Sequence, residues 1–348
     1  MAVPNVDRMY RENNDSMTVT IAEVARAAGV SPGTVSNVLN RPDVVQEATR
    51  TRVLDAMKQL NYRPNRQARM LAGGRDNGIG LVLHDAGNPF FAQIAHSVDD
   101  VAEQHGYGIM LASSRASVRR QQAALSMFVE HQLSGILLSP TVEGPQALKE
   151  IRSSGVPVVL VDYPGAAGEC SVAGDDIKGG GLAANHLLEI GHRQLAFVGG
   201  ATRVRQHGDR LNGVKASLRR AKLPLRQHLR TFSVGEDTIE CGRQVAADVH
   251  KHLSTIDGIV CGNDLIAIGL INGLAALGVK VPKDVSVVGY DDIDLAQLVH
   301  PTLTTIHQPM TAMGGAATEL LLEEVSGKKH RHQHLSFDPH LVVRGSTA

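Results

Sequence analysis

Polar side chains placed just after short apolar runs carry much of the chemistry this chain could perform. Asn88 with Phe90 and Phe91, Asp162 with Tyr163, the group Arg203, Arg205 and Arg210, the pair Asn263 and Asp264, and the pair Asp291 and Asp292 all follow such runs. Asp, Asn and Arg beside an aromatic plate suit a polyhydroxylated ligand, because each hydroxyl both donates and accepts. Hydrogen bonds to charged groups contribute roughly 1.5–3 kcal/mol each. Any one of these residues could equally cap a helix or pair across an interface. Their recurrence at equivalent strand ends favours a binding site.

A second polar set lies between Thr18 and Asn40, in TVTIAEVARAAGVSPGTVSNVLN. Thr20 and Glu23 form a capping box at the start of one helix, with Ile21, Val24, Ala25 and Ala28 on one face. Gly29 can take the left-handed conformation that ends it, Ser31 can cap the next helix, and Pro32 suits a first turn. Val35, Val38 and Leu39 then face inward, leaving Gly33, Thr34, Ser36 and Asn37 outward, where phosphates and base edges would be. The plainer reading is a helical hairpin whose alanines and valines merely pack.

Three other motifs invite chemistry and are read otherwise. Gly29 to Gly33 matches G-x-S-x-G, but that nucleophile elbow needs a strand before it and here a helix is expected. Gly179 to Gly181 lacks nucleotide-loop spacing and reads as close packing or a crossing between lobes. His330, His332 and His334 alternate like one face of a strand. They read as a solvated edge or turn, with metal binding as the alternative. Cys170, Cys241 and Cys261 are too few and scattered for a disulfide framework and lack zinc spacing, so they are expected to be buried, reduced thiols. No cofactor, metal or catalytic residue is expected, and the chain is not read as an enzyme.

The elements that must position these residues follow from patterning. Val53, Ala56, Met57 and Leu60 define a third helix, which Asn61 to Pro64 interrupts. From Thr18 to Arg75 nine Lys and Arg stand against four Asp and Glu, a net of +5, and the remainder carries −5 although the 348 residues sum to zero. A basic segment coinciding with two short helices is the electrostatic footprint of a polyanion partner. Downstream, Ile79–Leu83, Ile109–Ala112, Gly135–Leu138, Val156–Val161, Leu195–Val198, Ile259–Cys261 and Val285–Gly289 alternate with helix-like segments. That is the rhythm of parallel sheets covered on both faces. So many strands suggest two lobes with a cleft, the chain crossing near Asp175 and Asp176. Residues 1–17 are polar, without a signal-peptide core, and no run is long enough to span a membrane. A cytoplasmic protein is expected.

Many ordered motifs make the chain from Val19 onward resemble the lactose and galactose repressor (LacI-type) family of bacterial transcription regulators. They include TIAEVARAAGVSPGTVSNVLN, NYRPNRQARMLAGG, GLVLHDAGNPFFAQI, VPVVLVD, GHRQLAFVGG, VCGNDLIAIGL, VPKDVSVVGYDD, PTLTTIHQP and LVVRGS. The resemblance implies an α/β protein with a three-helix helix-turn-helix headpiece, a hinge helix, and a two-lobed core of doubly wound parallel sheets like a periplasmic binding protein. The expected divisions are a disordered tail 1–17, headpiece 18–63, hinge and linker 64–76, and core 77–348. Within the core, one lobe takes 77–176 and 308–327 and the other 177–307 and 328–348. Implied partners are a double-stranded, pseudo-palindromic operator bound as a homodimer, with a tetramer as the alternative, and a small-molecule effector.

Residue by residue, the resemblance places Pro32, Gly33 and Asn37 at base-reading positions. Asn37 can pair bidentately with adenine. Thr20, Ser31, Thr34, Ser36, Thr49 and Tyr62 match positions that contact phosphates or start helices. Gln46 stands where relatives have a capping Ser or Thr, so the third helix should begin less firmly. Asn65, Ala68 and Leu71 fall in the hinge, Leu71 matching a leucine wedged between central base pairs. Phe90, Phe91, Asp162, Arg210, Asn263 and Asp291 match effector positions. Val204 and Gln206 replace a charged and a hydroxyl residue of purine-binding members, so a sugar or sugar phosphate inducer is favoured. Arg203, Arg205 and His207 could face a phosphate. Co-repression or activation are the alternatives within the family, and a cytoplasmic sugar receptor without DNA function is the alternative outside it.

Overall fold

The computed structural model describes residues 19–62, 77–141, 151, 153–165, 168–200, 205–327 and 330–348. The expected tail, the hinge residues Asn65, Ala68 and Leu71, and Arg203 and Val204 lie outside them. The chain divides into a unit ending at Asp76 and a unit from Asn77 to Ala348.

In the first unit, α1 (Ile21–Ala28), α2 (Pro32–Asn40) and α3 (Glu47–Gln59) close one small core. Val24, Ala25, Ala28, Val35, Val38, Val53, Ala56 and Met57 form its buried centre. The capping box is complete: the Glu23 carboxylate accepts from the Thr20 backbone N–H at 2.7 Å, and Thr20 Oγ1 accepts from the Glu23 N–H at 3.4 Å. Gly29 ends α1 at φ 64°, and Ser31 then caps α2 by accepting from the Thr34 N–H at 3.1 Å. Gln46 precedes α3 without making any side-chain capping bond, which leaves first-turn donors of that helix to solvent.

The second unit is built on two parallel sheets. The first runs in the order β2 (Gly108–Ser113), β1 (Gly78–Leu83), β3 (Gly135–Leu138), β4 (Val158–Val161), β5 (Cys170–Gly174) and β11 (His334–Phe337). Helices α4 (Pro89–Gln104) and α5 (Val118–Glu130) follow its first two strands. The second sheet is ordered β7 (Leu229–Phe232), β6 (Leu195–Val198), β8 (Gly258–Cys261) and β9 (Ser286–Val288). Around it lie α6 (Asp176–Glu189), α7 (Arg205–Arg220), the short α8 (Leu225–His228), α9 (Ile239–His250), α10 (Asp264–Ala276) and the short α11 (Leu295–Leu298). Strands β1, β3, β4, β6, β8 and β9 are buried throughout. That is why they read as unbroken apolar runs rather than alternating ones.

The chain passes between the lobes more than once. It leaves β5 for α6, builds the second lobe as far as β10 (Thr305–His307), and then returns to the first lobe in α12 (Met310–Val325). Helix α12 shares a core with α4 of the first lobe, through Met310, Met313, Ala317 and Leu321 against Phe90, Ile94 and Val98. The stretch 328–348, expected wholly in the second lobe, is divided instead. His334–Phe337 pairs in parallel with Ser171–Gly174 in the first sheet, and only then does β12 (His340–Val342) pair antiparallel with β10. Its half-exposed alternation, HLSF, marks an edge strand, and an edge strand's partner is set by long-range backbone bonding that local pattern does not carry. Strands β5 and β7, the latter also only half buried, were likewise not anticipated.

Candidate functional site

Pro32, Gly33 and Asn37, expected to read bases, lie on α2 and are exposed, and Thr34 and Ser36 beside them are half-buried. Thr34 Oγ1 lies 3.0 Å from Ser31 Oγ, so both hydroxyls serve the start of the helix. Ser31 is thus a cap behind a helix, which removes the nucleophile-elbow reading. Thr20 is exposed and Thr49 and Tyr62 are half-buried. The sequence Pro-Gly at the front of α2 offers no side-chain donor, leaving Asn37 as the amide able to present both a donor and an acceptor.

The other polar set converges. Phe90, Phe91, Asp162, Arg210, Asn263 and Asp291 line a single cavity, joined by His84, Asn88, Gln206, His207 and Asp237. Most of these residues stand beyond the carboxyl ends of β1, β4, β6, β8 and β9. In both sheets the strand order reverses beside β1 and β6, which is where open α/β folds hold ligands. Asn88 caps α4 by accepting from the Phe90 N–H at 3.0 Å, fixing Phe90 and Phe91 in a T-shaped pair 5.0 Å apart. Both rings also belong to the first lobe's core, so they wall the cavity rather than project into it. Asn263 caps α10 through its oxygen, at 2.9 Å from the Ile266 nitrogen.

Arg210 is the hub. Its Nε donates to Asp176 at 2.8 Å, its Nη1 donates to the Gly262 carbonyl at 2.5 Å, and Nη2 lies 3.7 Å from Asp291. The guanidinium also sits 3.6 Å from the centre of the Tyr290 ring, a cation–π arrangement favoured when both are desolvated. Asp162, at φ 54°, accepts from the Gln206 amide at 2.9 Å through Oδ2, while its Oδ1 is buried without a partner. Asp291, at φ 110°, accepts from Gln308 at 3.0 Å. Asp264, expected among the strand-end polar residues, instead braces the second lobe by accepting from the Ile293 N–H at 2.9 Å and the Thr305 hydroxyl at 2.5 Å.

Residues 20–65 match the model for bacterial regulatory proteins of the lacI family, and residues 184–347 match that for a periplasmic binding protein-like domain. The HTH-type transcriptional repressor PurR of Photobacterium profundum is 33% identical over 332 residues, 94% of this chain and 98% of that protein. The chain belongs to the LacI family of bacterial regulatory proteins. Among solved structures, the lac repressor dimer bound to operator and the anti-inducer ONPF superposes with a TM-score of 0.81 at 28% identity, covering 94% of this chain and 99% of that one. The transcriptional regulator CelR–cellobiose complex gives 0.69 at 30% identity, with the same coverage. This LacI-family protein is a helix-turn-helix transcriptional repressor.

The electrostatics of the repressor's cavity are lopsided. Burial raises the pKa of Asp162 well above the carboxylate range, helped by the charge of Asp176 and opposed by Arg210. Burial likewise raises Asp176 against the pull of Arg210, and pushes Asp291 up to about 7 against Arg210 and the Gln308 hydrogen bond. Burial works against the charge of Arg210 too, but Asp176 and Asp291 outweigh it and keep the guanidinium firmly charged. His207 is pushed down to about 4 by burial despite Asp237 nearby, and His84 is lowered for the same reason. His207 Nδ1 accepts from the Gly200 N–H at 2.8 Å, which places the ring proton on Nε2, facing Asp237 at 3.5 Å. Three buried carboxyl groups therefore share one guanidinium, beside two neutral imidazoles. Sequence reasoning had not marked His84, Asp237 or the bracing Gln308. Only His84, directly after the β1 run, carried the strand-end signal.

Proposed function

We propose that this repressor holds a pseudo-palindromic operator as a homodimer and is released by a neutral sugar bound among Asp162, Arg210, Asn263 and Asp291. The observation that carries the reading is the surplus of carboxyl groups around Arg210, with one Asp162 oxygen unpartnered. Acceptor-rich walls with a few fixed donors suit hydroxyls, and a second buried negative charge would be costly there. A sugar phosphate fits less well than the neutral sugar. His207 is buried and neutral, and Arg205 is engaged with Asp209 at 3.3 Å and stacked 5.1 Å from the Tyr163 ring. The CelR–cellobiose complex, at 30% identity, supports the sugar class.

The mechanism is a population shift. A ligand bridging both lobes stabilises one lobe closure over another, and the dimer's paired headpieces hold the operator in only one of the two states. A difference of a few kcal/mol in ligand affinity between the states suffices. A second reading, a nucleobase co-repressor, draws on the similarity to relatives named PurR. A thermal-shift screen of sugars, sugar phosphates and nucleobases separates them, because a ligand of the native state raises the melting temperature. Neutral sugars are expected to shift the melt and to weaken the operator gel shift. Stabilisation by nucleobases alone, with tighter operator binding, would replace the sugar reading by co-repression.

A further inference from the structure

Away from the cleft, four side chains from three separate elements point their donor atoms at one spot. Cys170 opens β5, Glu324 sits in the last turn of α12, and His330 and His332 lie on the segment leading into β11. All four donor atoms lie within 4.8 Å of one another. Cys170 Sγ is 2.8 Å from His330 Nε2 and 3.9 Å from His332 Nδ1, and Glu324 Oε1 is 3.5 Å and 3.4 Å from the same two nitrogens. Glu324 Oε1 is buried and makes no hydrogen bond.

We propose that Cys170, Glu324, His330 and His332 bind one divalent transition-metal ion, zinc by preference, which clamps the end of α12 and the segment before β11 onto the start of β5. A tetrahedral zinc ion with bonds of about 2.0–2.3 Å separates its donors by roughly 3.3–3.6 Å. The two Glu324–imidazole distances, 3.5 and 3.4 Å, match that spacing, the 3.9 Å distance from Cys170 to His332 is slightly long, and the 2.8 Å distance from Cys170 to His330 opens to it by a rotation of the His330 ring. One sulfur, two imidazole nitrogens and one carboxylate oxygen select zinc or a late first-row ion over magnesium or calcium, which demand oxygen. Charge also balances. The Cys170 thiol gives its proton to solvent as the metal–sulfur bond forms, and thiolate plus carboxylate neutralise the dication.

The surroundings have the features of a supported metal site. His330 Nδ1, the nitrogen away from the cluster, lies 3.3 Å from Glu323 Oε2, the carboxylate–imidazole contact that orients metal-bound histidines. The Gln333 backbone N–H donates to Cys170 Sγ at 3.3 Å. A surface depression lined by Glu323, His330, Arg331, His332 and Gln333 gives the ion a route from solvent. His334, the third member of the alternating set, is bonded instead to Ser171 Oγ at 2.9 Å. The scattered cysteines suggested no such site, because only folding brings position 170 beside positions 324, 330 and 332.

The test is a cobalt titration of the full-length repressor, stripped with a chelator under reducing conditions. Binding is expected to saturate at one Co2+ per chain, with a thiolate-to-cobalt charge-transfer band in the near ultraviolet and intense visible bands of a tetrahedral centre, both erased by Zn2+. Cys170→Ser should abolish the charge-transfer band, whereas Cys241→Ser should retain it. Glu323→Gln should weaken binding about tenfold, and His332→Ala by at least that much. Circular dichroism checks folding of each variant. If Cys170→Ser does not fold, His332→Ala, whose side chain is 44% exposed, carries the comparison. No stoichiometric binding, cobalt bound without a charge-transfer band, or a band that survives Cys170→Ser would overturn the site.

Discussion

Asp291 combines burial, a left-handed backbone at φ 110° and a pKa pushed up to about 7. A carboxyl whose native pKa exceeds its unfolded value of 3.8 holds its proton more tightly when folded. The native state then binds more protons than the unfolded chain between those values, so this group's contribution to stability falls as pH rises from about 4 to about 7. Each unit of difference corresponds to about 1.4 kcal/mol. Asp291→Asn should therefore match the wild type near pH 4 and exceed its stability by about 1–3 kcal/mol at pH 8, read by urea unfolding at both values. Equal stability at pH 8 would mean that the Arg210 attraction offsets burial completely. The same variant should bind a sugar about tenfold to a hundredfold more weakly by calorimetry, with operator affinity in the absence of sugar unchanged.

The positions of these side chains are decided by helices. Gly180 lies in α6 where any Cβ would meet the Arg210 backbone carbonyl, Gly179 where it would meet the Tyr290 hydroxyl, and Gly213 in α7 where it would meet the Ile177 carbonyl. Gly180 and Gly213 thus make the close contact of α6 with α7, which sets the depth at which the second lobe delivers Arg210, while Gly179 leaves room for Tyr290. Gly180→Ala should displace α7, costing about 1–3 kcal/mol by the penalty for overpacking, and should weaken effector binding together with stability. A variant that melts lower yet binds effector normally would detach Arg210 from this contact. In the headpiece, the uncapped start of α3 offers the opposite experiment. Gln46→Ser should stabilise it by about 1 kcal/mol, seen as a higher melting temperature without change in operator preference.

At the scale of the whole molecule, the segment from Thr18 to Arg75, headpiece and linker together, carries +5 and the remainder −5. Operator affinity should therefore fall steeply with salt, while the affinity of a neutral sugar barely responds. The hinge that the family resemblance implies at 64–76 belongs to this scale. Leu71→Ala should lower operator affinity by tenfold or more in a gel-shift titration, as loss of a wedge between base steps predicts at a few kcal/mol or less. Sugar affinity of that variant should stay within about twofold, a factor worth under 0.5 kcal/mol. Undiminished operator binding would remove Leu71 from the interface.

Much of this was legible without coordinates. The apolar runs declared parallel strands because such strands are buried on both faces, so β1 reads GIGLVL with no alternation. The caps at Thr20 and Ser31 were visible because capping depends on residues three apart. Phe90, Phe91, Asp162, Arg210, Asn263 and Asp291, which line one cavity, belong to a larger set legible after the apolar runs because open sheets gather polar groups at strand ends; the family resemblance singled these six out of it. What sequence could not determine were contacts between residues far apart in the chain. The gathering of Asp162, Asp176 and Asp291 around Arg210, the pairing of β11 with β5, and the convergence of Cys170 with His330, 160 positions away, arise only when the lobes close their cores. Local pattern records which face of an element is buried; only the tertiary structure decides which buried groups meet.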